Sequence, residues 1–276
     1  NSYNLDLPVA IAPDGSLFIA DWYDAGVGGH GMADSLRGRI FRIAPKGVRY
    51  TVPTYNFKTP EGAAEALKNP NVAVRYLAWT ALNEMQDKAE KALLTLWKDE
   101  NPTMRARTLW LLSKIKGKEQ KYVNEAAKDA NEDIRVTAIR IARELPFDFT
   151  SLYTQLAQDK SVQVRREVAL AIRHKNLPQV WTTLAKQYDG NDRWYLEALG
   201  IAADNNWNTL LATWLQSVGT SWKENAASRD IVWRSRADDT LLKLAELVSE
   251  RNDADEAKFY RAFDFQTSPK KNELLL

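Results

Sequence analysis

Apolar and polar residues follow a fixed spacing through the middle of this chain. Five segments open with a short polar residue at intervals of 30 residues, and an apolar side chain follows three positions later in each. A fixed period of this length is typical of stacked repeats, in which each unit buries its apolar surface against its neighbours. The five opening residues are Asn71, Asn101, Asn131, Ser161 and Asn191.

The opening residue of each segment is predicted to cap a helix. Its short side chain carries an oxygen that can satisfy the free amides of the first helical turn. Apolar or small residues then recur at positions +3, +7, +10 and +11, which places them on one helix face. The same spacing puts Trp194 on the buried face of the fifth segment, followed by Tyr195 where the other four segments have arginine.

A second helix is predicted before each capped helix, so that one repeat is a pair of antiparallel helices. These preceding helices are expected at about 88–98, 118–128, 150–158 and 179–188, and each one ends at an aspartate. After Ala203 the period is lost. For the remaining chain the pattern predicts helices at 207–218, 231–250 and about 254–263, with a loop at 219–227.

The first 50 residues follow a β pattern instead. Short apolar runs at 7–12, 16–20 and 38–44 predict three strands, and a Pro-Asp-Gly turn is predicted between the first two. A glycine-rich loop at 21–37 separates the second and third strands. Three strands with one long loop do not make a stable sheet alone, so we expect this β segment to pack against the repeats or against further strands.

These patterns predict a mainly α fold. We expect an α-solenoid of about five to six two-helix repeats of 30 residues, with a small N-terminal antiparallel β segment. The expected organisation is a β segment at 1–50, a linker at 51–60, repeats at 61–205, and a degenerate repeat with a C-terminal cap at 206–276. Because the chain opens inside a strand-rich pattern without an initiator Met, we expect it to be a piece of a longer protein.

Composition narrows the function only a little. A formal net charge of +2 predicts neither nucleic-acid nor membrane-surface binding, although residues 101–175 hold 15 Lys and Arg against 9 Asp and Glu. The absence of cysteine excludes disulfides, thiol catalysis and cysteine-ligated metal within the chain. No apolar run approaches the roughly 18 residues of a membrane span, and no signal peptide is recognisable. Oligomeric state is left open.

The succession of an aspartate, a capped turn, an apolar-Arg pair and an apolar helix resembles HEAT repeats in a short, 30-residue form. The resemblance implies a structural ladder of hydrogen bonds between the aspartates and arginines of successive turns, with Asp99 matched to Arg105 and Asp129 to Arg135. The ladder residues are Asp99, Arg105, Asp129, Arg135, Asp159 and Arg165. Tyr195 interrupts the ladder, so the array is expected to change character there.

The densest polar cluster lies in the glycine-rich loop. Its ligand-binding candidates are Asp21, Asp24, His30, Asp34 and Arg37. The aspartates are hard oxygen ligands suited to calcium, and the flanking glycines let His30 approach a ligand closely. The same side chains can instead cap turns and pair with one another, which is the commoner role of such residues in loops. No catalytic residue and no metal site are assigned.

Three N-terminal stretches resemble the last blade of a bacterial β-propeller: PDGSLFIADWYD at 13–24, GGH at 28–30 and RGRIFRI at 37–43. The propeller is that of secreted membrane-bound-dehydrogenase-type proteins, which is similar to the propeller of glucose/sorbosone dehydrogenases and is followed by HEAT repeats. DIVWRSR at 230–236 and FDFQ at 263–266 resemble the region after those repeats. The resemblance implies an extracytoplasmic location, periplasmic or secreted, and a parent protein that usually carries a cytochrome c domain.

Covalent haem attachment needs a Cys-x-x-Cys-His motif, which this cysteine-free chain lacks. We therefore expect no cofactor in the chain itself, and we place haem c, where the parent carries it, elsewhere in the parent protein.

Three functions stay open at this point. The first is a non-catalytic HEAT-repeat scaffold or protein-interaction region of a larger extracytoplasmic, haem-linked dehydrogenase-like protein, whose partners are proteins or neighbouring domains of the same chain. In the second, residues 21–39 form part of an oxidoreductase active-site rim that missing propeller blades complete, so enzymatic activity of the parent is left undecided. The third is a nucleic-acid-binding protein similar to HEAT-like alkylpurine DNA glycosylases; because net charge is weak, we predict no nucleic-acid partner.

Overall fold

The computed structural model describes residues 8–21, 36, 38–249, 256–267, 271 and 273. The chain divides into two compact units, Asn1–Glu119 and Gln120–Leu276. Helices dominate both units, and a three-stranded antiparallel sheet lies in the first. The fold class expected from the sequence, a mainly α, HEAT-like solenoid class with a small N-terminal β segment, is confirmed.

The sheet has the strand order β1-β2-β3, and both pairings are antiparallel. In its register Ile19 lies opposite Val9 on one side and opposite Phe41 on the other. The predicted strands are therefore confirmed; β1 and β3 are shorter than their apolar runs, and β2 is shifted by one residue from its run. The bounds are β1 Val9–Ile11, β2 Leu17–Asp21 and β3 Arg39–Ile43.

Asp14 holds the turn between β1 and β2. Its carboxylate accepts hydrogen bonds from the backbone N–H of Ser16 at 3.0 Å, from the Ser16 hydroxyl at 2.6 Å and from the guanidinium of Arg42 at 3.0 Å. Gly15 adopts a φ of 85°, in the left-handed region that favours glycine. The bonds from Ser16, and then that from Arg42, lower the pKa of Asp14 from 3.8 to about 2. The ionised carboxylate thus ties the hairpin to β3.

The helices of the first unit form two packed pairs. Helix α1 packs against α2, and α3 packs against α4, while α1 and α3 also contact each other. The bounds are α1 Pro60–Ala66, α2 Val72–Met85, α3 Glu90–Leu96 and α4 Pro102–Leu112.

The second unit continues the alternation of preceding and capped helices; α5 begins at the last residue of the first unit. The capped helices α6, α8, α10 and α12 pack side by side in chain order, and we call them the capped row. The bounds are α5 Glu119–Ala126, α6 Glu132–Glu144, α7 Thr150–Leu156, α8 Val162–Ala171, α9 Pro178–Lys186, α10 Arg193–Ala202, α11 Trp207–Val218, α12 Ala226–Arg234, α13 Thr240–Ser249 and α14 Glu256–Ala262.

Four of the five predicted helix caps are confirmed. Each of these side chains accepts a hydrogen bond from an amide of the first helical turn, as expected for a short polar residue there. The residues at +3, +7, +10 and +11 behind Asn131 and Ser161 are buried, so the predicted apolar stripe is the core face of both helices. The confirmed caps are Asn71, Asn101, Asn131 and Ser161.

The predicted cap of the fifth repeat is wrong by one residue. Helix α10 is capped by Asp192, whose carboxylate accepts from the amides of Trp194 at 2.9 Å and Tyr195 at 3.1 Å. The connection holds one residue more than in earlier repeats, and Gly190 with a φ of 86° accommodates it. The buried +3 position therefore falls on Tyr195, 2% exposed, whereas Trp194 is 73% exposed and not part of the core stripe.

The predicted helix at 231–250 is also wrong, because the chain breaks it at Ser235. The Ser235 side-chain oxygen accepts from the amide of Ala237 at 3.1 Å and from the hydroxyl of Thr240 at 2.7 Å, which stabilises a turn in place of a helix. Helix α12 instead begins within the predicted loop, capped by Asn225. Arg229 follows Asn225 at +4, as an arginine follows the cap in the earlier repeats. A further copy of the repeat signature therefore begins at Asn225, three residues later than a 30-residue period from Asp192 predicts.

Asn69 attaches the β hairpin to the first helix pair. Its side-chain amide donates to the carbonyl of Pro13 at 2.9 Å and to the hydroxyl of Tyr55 at 2.8 Å. Its side-chain oxygen accepts from the amide of Asn71, as the aspartates do in later repeats. Asn69 precedes Asp99 by one 30-residue period. An amide is needed at this position because a carboxylate has no hydrogen to donate to the hairpin carbonyl.

Candidate interaction surfaces

Only one of the five ligand-binding candidates from the glycine-rich loop lies among the described residues. Asp21 ends β2, opposite Arg39 of β3, and is partly exposed. Within the described ranges, no group of three His, Asp or Glu side chains is placed to hold a metal ion. The other four candidates, Asp24, His30, Asp34 and Arg37, lie outside the described residues, so a ligand site in this loop stays a prediction.

Arg135 and Asp159 form a buried ion pair between successive repeats. Nε of Arg135 donates to Oδ2 of Asp159 at 2.7 Å and Nη2 donates to Oδ1 at 2.8 Å, with the side chains 6% and 9% exposed. The hydrogen bonds to Asp159 raise the pKa of Arg135. Burial by itself raises the pKa of Asp159, but the hydrogen bonds from Arg135 and the Ser161 amide outweigh it, so that pKa is lowered. Both groups stay charged and join α6 to the turn before α8.

Arg135 and Arg165 each close the turn of their own repeat as well. Nη1 of Arg135 donates to the carbonyl oxygen of Asp129 at 2.8 Å, and Nη1 of Arg165 donates to that of Asp159 at 2.7 Å. The contact expected between Asp129 and Arg135 within one repeat is thus a hydrogen bond to the main-chain carbonyl of Asp129. The Asp129 carboxylate itself accepts from the amide of Asn131 at 2.8 Å. One Nη atom of each guanidinium group is thus engaged in the turn of its own repeat.

Asp99 and Arg105, the first ladder pair, both make contacts at the turn between α3 and α4. The carboxylate of Asp99 accepts from the amide of Asn101 at 2.9 Å and so supports the cap of α4. The guanidinium carbon of Arg105 lies 5.0 Å from the ring centroid of Trp97, within the range of a cation–π contact. Both residues therefore stabilise the turn between α3 and α4.

The ladder ends at Tyr195, because the aromatic ring of this residue contacts Arg165 where an ion pair would continue the ladder. The guanidinium carbon of Arg165 lies 5.5 Å from the ring centroid, and the Tyr195 hydroxyl donates to the carbonyl of Leu184 at 2.9 Å. Burial raises the pKa of Tyr195, so its hydroxyl keeps the proton that this bond requires. Asp189 occupies the aspartate position of this repeat, is exposed, and accepts from the amide of Asn191 at 2.9 Å.

A cleft rich in arginine lies in the second unit between α10, α12 and the turn after α14. It has a volume of about 500 Å³. We call it the arginine groove, and it is lined by Arg193, Glu197, Trp233, Arg234, Arg236 and Phe265.

Positive charge exceeds negative charge in the arginine groove. The carboxylate of Glu197 receives Arg193 from the same helix and Nε of Arg234 at 2.7 Å from α12. Burial by itself raises the pKa of Glu197, but the two arginines outweigh it and the pKa is lowered, so this carboxylate is ionised. No carboxylate among the described residues pairs with Arg236. Three cations therefore share one anion.

Main-chain carbonyls hold Arg236 in place. Its Nη1 donates to the carbonyl oxygen of Ser235 at 2.6 Å and to that of Arg234 at 3.1 Å. Burial, and then the like charge of Arg234, lower the pKa of Arg236. The guanidinium is fixed by neutral groups and lies beside another cation, which is the arrangement that a bound anion would stabilise.

Aromatic rings form the other part of the groove wall. The guanidinium carbon of Arg193 lies 4.8 Å from the ring centroid of Trp233, and that of Arg236 lies 5.1 Å from the ring centroid of Phe265. Phe265 is 57% exposed, so much of its ring remains open to solvent. The groove thus combines cations with an accessible apolar surface.

Gly200 makes room for the arginine that crosses α10. A Cβ atom on Gly200 would come within 2.5 Å of the guanidinium carbon of Arg234, far closer than a normal contact. A side chain here would force the guanidinium of Arg234 to shift. The arrangement of the groove therefore depends on a glycine inside a helix, where glycine is otherwise unfavourable.

A carboxylate that pairs with two arginines also occurs at the other end of the capped row. Glu167 on α8 accepts from Nη2 of Arg140 at 3.0 Å and from Nη1 of Arg143 at 3.3 Å, both on α6. The Glu167 side chain is 7% exposed, whereas the two arginine side chains are 58% and 44% exposed. The capped row thus carries a second surplus of exposed positive charge.

The sheet of the first unit presents an apolar face. Because Val9, Ile19 and Phe41 are in register, as are Ile11, Leu17 and Ile43, these residues share one side of the sheet. Exposure is 58% at Val9, 46% at Phe41 and 52% at Ile43. We call this surface the β face. Its six members are Val9, Ile11, Leu17, Ile19, Phe41 and Ile43.

Sequence reasoning missed the arginine groove because its residues come from three separate segments. Two local features were visible: the i, i+4 spacing of Arg193 and Glu197, which is typical of a helical ion pair, and the arginines on either side of Ser235. Neither feature indicates that α10, α12 and the turn at Phe265 meet. That juxtaposition depends on the packing of the capped row.

Residues 60–123 match the family model of HEAT repeats, and this match covers α1 to α4 and most of α5. No curated protein matches the chain. No helix in the described part of the chain is both long and apolar enough to cross a bilayer. Together with the packed helix pairs, the match indicates a helical scaffold or interaction region with HEAT repeats at residues 60–123.

Proposed function

We propose that this chain is the non-catalytic HEAT-repeat scaffold of a larger extracytoplasmic, dehydrogenase-like protein, and that its β segment joins a propeller formed by other parts of the same polypeptide. The single observation that carries the proposal is the β face. A helical scaffold would then hold the propeller at one end and leave its own surfaces free for partners.

The exposed apolar residues of the β face favour burial under a covering layer of apolar structure. Fully burying a large apolar side chain contributes about 1.5 to 3 kcal/mol, so covering the exposed halves of Val9, Phe41 and Ile43 contributes on the order of 1 kcal/mol each. A contiguous exposed apolar patch of this kind marks an interface in most proteins. Three strands alone are also too few for an independently stable sheet.

The edges of the sheet favour further strands as the covering structure. Among the described residues, β1 and β3 each pair only with β2, so the outer edge of each lacks a described strand; on the edge of β1 the carbonyl oxygen of Ile11 accepts from the side-chain amide of Asn71. Open edges of this kind are normally paired or covered in native proteins. Additional strands of the same polypeptide would satisfy both the free edges and the apolar face, as expected for one blade of a propeller.

The proposal is tested by photo-cross-linking in the full-length parent protein. A photoreactive phenylalanine analogue at Phe41 should cross-link to a β-rich segment of the same polypeptide, identified by mass spectrometry. The matched control is Tyr76 on α2, which is 66% exposed, and it should give no such product. Cross-links from Phe41 only to a separate protein, or to nothing, would overturn the proposal.

The cellular context is tested on the same parent protein. Fractionation should recover it in the periplasmic or secreted fraction, and its absorption spectrum should carry the bands of haem c. Recovery in the cytoplasm would remove the extracytoplasmic part of the proposal. A haem-free spectrum would remove the haem-linked part while leaving the scaffold role in place.

A further inference from the structure

The arginine groove carries positive charge that the described residues do not neutralise. Arg193, Arg234 and Arg236 surround the single carboxylate of Glu197. Like charges in a partly desolvated cleft repel one another more strongly than they do in water. An anionic ligand would relieve this repulsion, and three guanidinium groups provide forked donors suited to carboxylates.

We propose that the arginine groove binds an acidic segment of a protein partner. Adjacent carboxylates of that segment contact Arg193 and Arg236, and an apolar side chain beside them packs on Phe265. The inference rests on the proposed scaffold role and extends it by naming the chemistry of the partner. All residues on which the inference depends lie in the second unit.

The donors of Arg236 are arranged for such a ligand. Its Nη1 is held by the carbonyls of Arg234 and Ser235, which fixes the plane of the guanidinium. Among the described residues, its other N–H groups have no hydrogen-bond acceptor. A fixed guanidinium loses little side-chain entropy when it binds a carboxylate, so the contact is stronger than that of a freely rotating side chain.

Two features favour a peptide over a small free anion. The exposed ring of Phe265 offers apolar contact area that phosphate or acetate cannot use. The second cluster, Arg140 and Arg143 with Glu167, lies on the same capped row and presents further cations to an extended acidic chain. The site is an open cleft across three elements, which suits a chain lying on the surface.

The test measures binding of a fluorescein-labelled dodecapeptide of alternating Glu-Glu and Phe-Gly pairs to the whole 276-residue chain by fluorescence anisotropy. A second peptide with Gln in place of every Glu serves as the ligand control. The acidic peptide should bind at low ionic strength and weaken as salt is added, whereas the Gln peptide should bind at least tenfold more weakly. Equal binding of the two peptides would overturn the proposal.

Variants then locate the site. Arg236→Gln should weaken peptide binding about tenfold, because it removes one charge-assisted contact. Gly200→Ala should weaken binding several-fold without changing any charge, since it displaces Arg234. Arg173→Gln is the matched control: its guanidinium is exposed and pairs with Asp204 at 2.8 Å, outside the groove, and binding should change less than twofold. Equal losses in all three variants would indicate nonspecific attraction and would overturn the proposal.

Two further measurements keep the proposal testable if a variant fails to fold. In the unmodified chain, the indole N–H resonance of Trp233 should shift on addition of the acidic peptide, and no shift would count against the groove. Inorganic phosphate or a DNA duplex that displaces the peptide at equal or lower concentration would reassign the site to free anions or to nucleic acid. Loss of peptide binding leaves the Phe41 cross-linking result unaffected, so the two proposals fail separately.

Discussion

Removing the carboxylate of Asp159 is the sharpest test of how the repeats are held together. Asp159→Ala deletes three hydrogen bonds at once: those from Nε and Nη2 of Arg135, at 2.7 and 2.8 Å, and that from the amide of Ser161 at 2.8 Å. Arg135, whose exposure as a whole residue is 5%, then remains buried without its counter-ion. The variant therefore leaves a buried charge, not merely a missing contact.

The expected cost follows from the burial of the pair. Breaking a buried ion pair by removing one partner costs about 3 to 5 kcal/mol. Arg135 keeps the carbonyls of Asp129 and Ala130 as acceptors, so the lower end of this range applies. We expect the free energy of unfolding to fall by about 3 kcal/mol, which is a factor on the order of 100 in the unfolding equilibrium. Arg135→Met should recover part of this loss in the double variant, with a coupling energy of about 2 kcal/mol.

The assay combines urea unfolding with hydrogen exchange of residues 120–190, so that local opening is separated from global unfolding. Asp189→Ala is the matched control, because Asp189 holds the same position one repeat later but is exposed and accepts a hydrogen bond from the amide of Asn191 at 2.9 Å. Its effect should be much smaller. A loss for Asp159→Ala no larger than that for Asp189→Ala, or a coupling energy below about 0.5 kcal/mol, would refute the reasoning.

Three further outcomes are expected. Asn69→Asp replaces a donor with an acceptor facing the carbonyl of Pro13, so hydrogen exchange of β1 and β2 should accelerate by the equivalent of about 2 kcal/mol while α3 and α4 keep their protection. Asp14 has a pKa of about 2 in the folded chain against an ordinary 3.8, so its contribution to stability is present above pH 3.8 and is lost as pH falls towards 2; Asp14→Asn should flatten the acid limb of a urea-midpoint titration. Trp194→Ala should change the free energy of unfolding by less than about 0.5 kcal/mol, whereas Tyr195→Ala should lower it by about 3 kcal/mol; similar values for both would contradict the observed start of α10.

Local patterns were sufficient to predict most elements of the fold. Helix α11 runs from Trp207 to Val218 as predicted, because its ends coincide with a change of residue type visible in the sequence. The caps at Asn131 and Ser161 were predictable for the same reason, since capping depends on a single side chain and the next turn. Such features need no knowledge of distant residues.

The errors arise where local rules compete. Asn191 and Asp192 are both good caps, and only the burial of Tyr195 decides between them. The apolar run at 231–250 predicts one helix, but Ser235 and Thr240 stabilise a turn within it. In both cases the packing of neighbouring helices selects one of two locally acceptable conformations.

The candidate sites likewise combine features visible in the sequence with contacts that only the folded chain shows. The position of Asn69 one period before Asp99 was visible in the sequence, but its hydrogen bond to Pro13 requires the hairpin to meet the first helix pair. The arginine groove likewise requires α10 and α12 to be neighbours before Arg234 can reach Glu197. Composition does not reveal either surface, since both depend on contacts between distant segments.

The connection at Gly190 has a consequence for how such an array can change in length. It holds one additional residue before α10, yet Tyr195 and the residues behind it still reach the core. One residue inserted within α10 itself would instead turn every later side chain by about 100° around the helix axis. Natural variation and protein engineering can therefore lengthen this chain at its turns, whereas each helix must keep its residue count.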